Sequence, residues 1–419
     1  MLKDLANSRL FHNISWLGIS EVFVRVSRLI TTVILSHFLS PHEYGLTAII
    51  LTLQELTKVF SDIGINAKII QAKQEQLADL CNSAFWLHWV VYSSLFVIQC
   101  LMAFVVANFY HESQLILPIC AMATIYLITP IGLIQEGLIR RENDLKIIAT
   151  NSAIVTSIAN ILTAGLAFLG WGIWSIVAPA VLVTPLWAYL FFQRHAWRPT
   201  QAFTTYYWKD IFMFGRSILG IQFLKTLRNN LDYLMIGHFI GIKALGIYFF
   251  AFNAGLGISL SIINALYIAL LPHFCAARSQ WSDFKKSYFN SLKLIAVVIC
   301  SVVLLQSVLA PVYVPIVFGQ KWIPAIPILI LICLSAIPRP FADSASQLLV
   351  AIDKPHLAFY CDVVFTLFFV VALMIGLQWN VIGVATAVLI VHAVVLPIYT
   401  VLTTYHVFYS GKEFPLEAK

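Results

Sequence analysis

Apolar stretches of about 20 residues recur along the whole chain and are separated by short polar turns. The hydrocarbon core of a bilayer is crossed by about 20 helical residues, so each stretch has the length of a membrane-spanning helix. The pattern predicts twelve spans, six in each half of the chain. In the first half they cover 12–38, 44–66, 82–108, 114–137, 147–169 and 172–193. In the second half they cover 211–238, 244–272, 290–316, 323–346, 356–376 and 380–406.

The main polar interval, RHAWRPTQAFTTYYWKD at 194–210, lies at the centre of the chain. It predicts an N-terminal six-helix bundle over 1–193, a cytoplasmic linker over 194–210, and a C-terminal six-helix bundle over 211–419 that ends in a short cytoplasmic tail. The expected fold is an all-α polytopic membrane protein.

The two halves resemble each other in sequence. Residues 34–46, ILSHFLSPHEYGL, align without gaps to residues 235–247, MIGHFIGIKALGI, at an offset of 201. A second similarity relates WGIWSIV at 171–177 to WNVIGVA at 379–385. The order and the near-equal offsets indicate an internal repeat whose halves run in the same direction.

Composition and charge support this class of protein. Hydrophobic residues make up 60% of the chain and charged residues 11%, with a mean hydropathy of +0.87, which excludes an ordinary soluble protein. Of the 26 basic residues, sixteen fall in loops on one side, whereas the opposite loops hold only Lys243 and Lys321. By the positive-inside rule, both termini are expected in the cytoplasm. The net charge of +7 therefore calls for no nucleic-acid partner.

Charged residues inside the spans are the main functional signal. Glu21, Arg25 and Arg28 fall at i, i+4 and i+7 of the first span, and share one helical face. A charge at the bilayer centre costs about 2.5–3.5 kcal/mol on insertion scales, so this face is expected to line a water-filled cavity. The alternative is a purely structural pair of Glu21 with Arg25, which leaves Arg28 without a partner.

Similar charges recur in three other spans. The second carries Glu55, Lys58 and Asp62, and the seventh carries Lys225, Arg228 and Asp232. The tenth contains four prolines and is expected to bend near Arg339 and Asp343. Basic residues exceed acids, which indicates an anionic substrate, and the guanidinium fork suits a diphosphate. The candidates for substrate binding are Arg25, Arg28, Lys58, Lys225, Arg228 and Arg339.

The acidic residues of the spans have two interpretations. Glu55, Asp62, Asp232 and Asp343 are candidates for coupling transport to a proton or sodium gradient. Alternatively, they only neutralise the arginines. No G-x-S-x-G elbow, Walker loop or metal-ligand spacing occurs, so neither an enzyme nor a bound cofactor or metal is expected. Six tryptophans are expected at the membrane interfaces: Trp86, Trp89, Trp171, Trp174, Trp322 and Trp379.

Several short motifs resemble the polysaccharide-transport branch of the MOP exporter superfamily, which includes Wzx-type lipid-linked oligosaccharide flippases and teichuronic-acid exporters. They are ILSHFLSPHEYGLTAI (34–49), FSDIGINAKIIQAKQ (60–74), GWGIWSIV (170–177), MIGHFIGIKALGIYFFAFN (235–253), LLPHF (270–274) and FGQKWIPAIPILILICLSA (318–336). The resemblance implies two six-helix bundles around a central cationic cavity, working by alternating access.

The function this implies is a flippase of the bacterial inner membrane. It would move an undecaprenyl-diphosphate-linked oligosaccharide from the cytoplasmic to the periplasmic leaflet, for O-antigen, capsule or exopolysaccharide synthesis, alongside polymerase and chain-length proteins. One alternative is a cation-coupled drug or metabolite exporter of the same superfamily, which favours an acidic cavity. Another is a non-transporting scaffold for polysaccharide assembly, which has no need of charges aligned inside spans.

Overall fold

Helices account for all the regular secondary structure in the part of the chain that the structure describes. This computed structural model describes residue 24 and residues 26–61, 64–200, 202–277, 280–352 and 354–409. The helices up to the centre are α1 (Val26–Phe38), α2 (Pro41–Val59), α3 (Ile65–Gln71), α4 (Leu77–Tyr110), α5 (Ile116–Ala123), α6 (Ile125–Ile128), α7 (Pro130–Arg141), α8 (Leu145–Phe168) and α9 (Trp174–Arg194). Those that follow are α10 (Trp208–Phe239), α11 (Ile242–Ala277), α12 (Trp281–Tyr313), α13 (Ile326–Ser335), α14 (Arg339–Ala351), α15 (Pro355–Gly376) and α16 (Asn380–Phe408).

The chain divides into two compact units, the first ending at Asn230 and the second beginning at Leu231. The boundary falls inside α10, because residues 195–207 before this helix are bonded to α4 and α7 of the first unit. The predicted boundaries, with bundles over 1–193 and 211–419 joined by a linker at 194–210, remain a prediction.

The order of the helices repeats, which confirms the internal repeat. Helix α2 begins at Pro41 and α11 begins at Ile242, 201 residues later. The long helices α4, of 34 residues, and α12, of 33 residues, occupy matching places. Each is followed by a broken helix and then by α8 or α15, of 24 and 22 residues.

The broken helices have prolines at their breaks. The predicted span 323–346 consists of α13, which ends at Ser335, and α14, whose first turn contains Pro340, so the helix is interrupted just before Arg339. The predicted span 114–137 is bent by 55° between Ser113–Ile128 and Pro130–Arg141. Because Pro130 has no amide hydrogen and its ring crowds the preceding turn, it starts a new helix rather than continuing the old one.

Six helical segments of the described residues are long and apolar enough to cross a membrane, or seven if the bent pair is one span. Helix α10 coincides with a predicted span but does not qualify, because Lys225, Arg228 and Asp232 lie close together in it. Outward-facing apolar side chains suit contact with lipid, and examples with more than half of their surface exposed are Leu101, Phe104, Ile161 and Leu367.

Each unit has its own apolar core. In the first, Ile69, Leu80, Ile134 and Ile211 bring α3, α4, α7 and α10 together. In the second, Trp322 is fully buried and stacks on Phe250 with ring centroids 3.9 Å apart. The prediction of an interfacial Trp322 was therefore wrong. A proline-containing 3₁₀ turn, Gln320–Ala325, carries this ring into the core instead of leaving it at the helix end.

Candidate functional site

Helices α2 and α10 of the first unit pair in antiparallel fashion through polar side chains. The Thr52 hydroxyl donates to Asn230 Oδ1 at 3.1 Å, and Asn230 Nδ2 donates to Glu55 Oε2 at 3.0 Å. Towards the other end of the pair, the rings of Phe60 and Phe223 are 5.3 Å apart. Asn230 is 4% exposed, so its amide fixes the Glu55 carboxylate from within the packed part of the unit.

This pairing brings the basic residues of the two helices to one depth. Lys58 follows Glu55 by three residues and precedes Phe60, so it lies at the level of Lys225 on α10. At a rise of 1.5 Å per residue, Lys225 and Arg228 lie about 21 and 16 Å from the end of α10. Lys225 and Arg228 therefore lie about four and three turns inside a helix of 32 residues. The first unit thus places two basic residues inside α10, with Lys58 beside them in the last turn of α2.

Helix α1 places Arg28 at a similar depth, about 15 Å from its end at Phe38. The neighbouring Ser27 accepts a 2.8 Å hydrogen bond from Asn160 of α8, and this bond fixes the packed face of α1. Arg28 itself is exposed, beside that face, and its carbonyl accepts a 2.9 Å hydrogen bond from Thr32. Three of the predicted site residues, Glu21, Arg25 and Asp62, lie outside the described residues.

A neutral polar network in the first unit had no counterpart in the sequence-based prediction. Gln99 of α4 is 1% exposed and donates to Gln54 Oε1 at 2.7 Å and to the Ile119 carbonyl at 3.3 Å. Tyr126 donates to the Gln54 carbonyl at 3.4 Å. The sequence signal for this network is the presence of glutamines inside apolar spans, because a buried amide requires hydrogen-bond partners.

The second unit contains a buried carboxylate with a phenol partner. The Tyr248 hydroxyl of α11 donates to Asp232 Oδ2 at 2.7 Å, and the Tyr233 amide donates to Oδ1 at 3.0 Å. Asp232 and Tyr248 are 5% and 1% exposed. Arg339 of α14 lies close enough to interact electrostatically with Asp232. The fold therefore brings together two of the predicted residues and adds Tyr248, which the sequence did not single out.

Asp343 lies one turn beyond Arg339 on α14 and is half-buried. Among the described residues, no group of three histidine, cysteine, aspartate or glutamate side chains is placed to hold a metal ion. The arrangement offers basic groups at one level of α2 and α10 in the first unit, and an aspartate–tyrosine–arginine cluster in the second. The basic groups can bind an anion, and the buried carboxylate of the cluster can gain or lose a proton.

The family of the chain follows from a comparison with known proteins. A family model described as "Polysaccharide biosynthesis protein" matches residues 34–327, well over half of the chain. The chain belongs to this family. Relatives of the class that the motifs resembled also match the chain, so the assignment to the polysaccharide-transport branch is confirmed.

Two relatives of this family share similarity over most of the chain. The teichuronic acid biosynthesis protein TuaB of Bacillus subtilis (strain 168) is 26% identical over 356 residues, which are 83% of this chain and 72% of that protein. The lipopolysaccharide biosynthesis protein WzxC of Escherichia coli (strain K12) is 24% identical over 389 residues, 90% of this chain and 77% of that protein.

The fold is that of known membrane transporters. The solved structure of the lipid II flippase MurJ in its inward closed conformation superposes with a TM-score of 0.74 at 14% identity, covering 92% of this chain and 86% of that one. The predicted polytopic helical fold is thereby confirmed. The chain is a multi-pass membrane protein of the polysaccharide biosynthesis family.

Proposed function

We propose that this protein is a flippase that moves an undecaprenyl-diphosphate-linked oligosaccharide across the bacterial inner membrane, from the cytoplasmic to the periplasmic leaflet. The observation that carries the proposal is that Lys225 and Arg228 lie inside α10, with Lys58 at the same level on α2, in a member of a polysaccharide biosynthesis family. The relatives named for teichuronic acid and lipopolysaccharide biosynthesis support a surface polysaccharide as the product. Polymerase and chain-length proteins are its proposed partners, and both termini are cytoplasmic.

The diphosphate headgroup sets the chemical requirement. An ionised group crossing hydrocarbon unaided meets a cost of tens of kcal/mol, whereas the polyprenyl tail remains in lipid at no such cost. In this proposal Arg28, Lys58, Lys225 and Arg228 replace the water of hydration during passage. Arginine donates two parallel hydrogen bonds to phosphate oxygens and stays charged throughout. The complete substrate-binding set adds Arg25 and Arg339.

Charge also weighs against the alternatives. An exporter of cationic drugs needs acids where its substrate binds, but the first unit places Lys58, Lys225 and Arg228 at one depth with Glu55. A scaffold without transport has no use for basic groups so far from either membrane surface, since each of them opposes insertion. The flippase explains both the sign and the depth of these charges.

The first prediction concerns Arg28. Replacing it with Gln removes a charge-assisted contact to phosphate, and we expect flipping to slow about tenfold. The assay is transfer of a lipid-linked oligosaccharide across reconstituted vesicles, normalised to the amount of folded protein. Arg28→Lys, which keeps the charge but loses the fork, should restore the rate only partly.

A loop substitution, Lys73→Gln, serves as the control, because Lys73 is exposed outside the predicted spans. It removes the same charge and should leave the rate unchanged. A normal rate for Arg28→Gln at normal protein level would remove Arg28 from the substrate site.

We further propose that acids of the spans couple flipping to a proton or sodium gradient. The candidates are Glu55, Asp62, Asp232 and Asp343. Asp232 is the strongest, because protonation or a bound cation would alter its interactions with Tyr248 and Arg339 at once. When the charge of Asp232 changes, Arg339 loses its attraction to that side chain and can take another partner. This change links the gradient to the conformation of the second unit.

The second prediction follows from this coupling. Wild-type flipping should accelerate when a proton or sodium gradient is imposed on the vesicles, and Asp232→Asn, which keeps the shape of the side chain, should flip at a gradient-independent rate. Asp62→Asn is tested alongside, and Asp283→Asn, in the first turn of α12, is the control. Equal gradient dependence in Asp232→Asn and wild type would assign Asp232 to charge neutralisation alone. If neither gradient changed the flipping rate of the wild type, the coupling proposal would be disproved.

A further inference from the structure

A pocket of about 430 Å³ opens in the first unit, between α3, the start of α4 and the residues that lead into α10. We call it the loop pocket, and its lining includes Lys68, Leu80, Tyr206, Tyr207, Lys209 and Asp210. The volume falls in the range of small-molecule sites. None of these residues belongs to the proposed substrate and coupling sites, which lie deeper in the spans.

The segment that leads into α10 supplies Tyr206 and Tyr207 to the lining, and it is fixed to α4 by two buried polar side chains. Asn82 Oδ1 accepts a hydrogen bond from the Thr200 amide at 3.0 Å. Ser83 Oγ accepts from the Tyr207 amide at 3.1 Å, and the Trp208 indole donates to the Ser83 carbonyl at 3.0 Å. Asn82 and Ser83 are 1% and 0% exposed, so this side of the loop pocket is held by buried side chains of α4.

The opposite wall is held just as firmly. Arg141 of α7 donates to the carbonyls of Ile69 and Ile70, at 2.6 and 3.0 Å, near the end of α3. These bonds satisfy carbonyl groups that a helix end leaves without partners. The Lys68 ammonium lies 5.7 Å from the centre of the Phe214 ring, a cation–π contact that holds this side chain by α10.

The lining has the chemistry of a phosphate site. Lys68 and Lys209 supply two positive charges, and Tyr206 and Tyr207 supply phenol donors. Burial, with Tyr206, Asp79 and Asp210 nearby, raises the pKa of Tyr207, so its phenol remains a donor at neutral pH. Asp210 adds one carboxylate to the lining. The combination favours a group that is anionic overall and also carries donors.

Aromatic side chains of the segment that leads into α10 cluster as they do at membrane–water interfaces. The ring of Phe203 contacts those of Trp86 and Trp208, with centroids 5.7 and 5.6 Å apart. Phe203 and Tyr206 are 60% and 81% exposed. Such rings lie at the level of lipid headgroups, where lysines also accumulate on the cytoplasmic side. The loop pocket is thus built at the depth where lipid phosphates are found.

We propose that the loop pocket binds the phosphate group of a membrane lipid at the cytoplasmic surface. Two lipids offer this chemistry: an anionic phospholipid of the bilayer, or the diphosphate end of the polyprenyl-linked substrate. In the second case the inference rests on the proposed function, and the pocket is the place where the headgroup is held before it enters the spans. The lysines bind the phosphate oxygens, and Asp210 accepts from a hydroxyl of the headgroup.

The test measures binding to the purified full-length protein by native mass spectrometry. The probes are phosphatidylglycerol and farnesyl diphosphate, with phosphatidylcholine as the reference. We expect Lys68→Gln with Lys209→Gln to weaken binding about tenfold, because two charge-assisted contacts are lost. The matched control, Lys73→Gln with Arg194→Gln, removes two exposed charges outside the lining and should change little.

Asp210→Asn provides an independent variant, because it should tighten binding of farnesyl diphosphate, which has no headgroup hydroxyl for Asp210 to accept from, about threefold by removing repulsion. Misfolding does not produce such a gain. Selective retention of phosphatidylglycerol would identify a bilayer lipid as the ligand, and this result would hold even if flipping were disproved. Preference for farnesyl diphosphate would identify the substrate. Equal binding of both probes by wild type and the double lysine variant would overturn the proposal.

Discussion

At the scale of single residues, the sequence showed charges but not the neutral partners that hold them. Arg28, Lys225 and Asp232 stand out in apolar spans because each opposes insertion. Asn230 and Tyr248 do not stand out, since amides and phenols occur in many membrane helices. Their importance arises only when folding brings α2 to α10, or α11 to Asp232.

Glycines give a sharp test at this scale. Gly64 has a φ of +72°, and a Cβ at this position would lie 3.1 Å from the ring of Phe214. Both the left-handed backbone and the contact disfavour a side chain, so Gly64→Ala should destabilise the protein by about 1–3 kcal/mol. Thermal unfolding in detergent measures the effect.

Gly220 is the matched control for that substitution. It lies within α10, and a Cβ there meets nothing within 4 Å. Gly220→Ala should leave the melting temperature equal or raise it, because alanine is the better helix former by about 1 kcal/mol. If the two variants melted alike, the strain assigned to Gly64 would be refuted.

At the scale of helices, the apolar pattern predicted where spans occur but not which prolines break them. Pro179 and Pro185 lie inside α9, which continues through both. Pro130 instead begins α7 after a 55° bend. Pro130 and Pro185 both follow a threonine, so the difference depends on whether neighbouring helices fill the space opened by a kink, which the sequence does not display.

The segment before α10 shows the same limit. Its polarity predicted a linker. However, Asn82, which is buried near the start of α4, both accepts a hydrogen bond from the Thr200 amide and donates one to the Thr200 hydroxyl. We expect Asn82→Ala to release this segment, because two hydrogen bonds to a buried anchor are lost at about 1 kcal/mol each. Limited trypsin digestion should then cut after Arg194 several times faster than in wild type.

Ser94→Ala is the control for that experiment, since the Ser94 hydroxyl is exposed on α4 and bonds only to its own helix at the Val90 carbonyl. It should leave the cleavage rate after Arg194 unaltered. Unchanged cleavage in Asn82→Ala would mean that Ser83 and Trp208 alone hold the segment.

At the scale of the whole molecule, the repeat was visible in two short sequence similarities and became plain in the order of the helices. Matching helices begin about 200 residues apart, although their residues have largely diverged. The two halves keep the same backbone arrangement although their side chains differ, because many apolar side chains can fill the same space against lipid. Charge positions diverge too, as Lys225 and Arg228 do not occupy the places of Arg25 and Arg28 in the alignment.

Orientation in the membrane is the property of the whole chain that rests most directly on its loops. Basic residues accumulate in the loops of one predicted side, so segment 194–210 is expected on that side and the turn at Gly241 on the other. Reporter fusions after Thr200 and after Gly241 test this arrangement. Alkaline phosphatase should be inactive at the first position and active at the second, and a fluorescent protein should show the reverse. The same result at both positions would mean that α10 does not cross the membrane, and would leave Lys225 and Arg228 without the depth on which diphosphate binding depends.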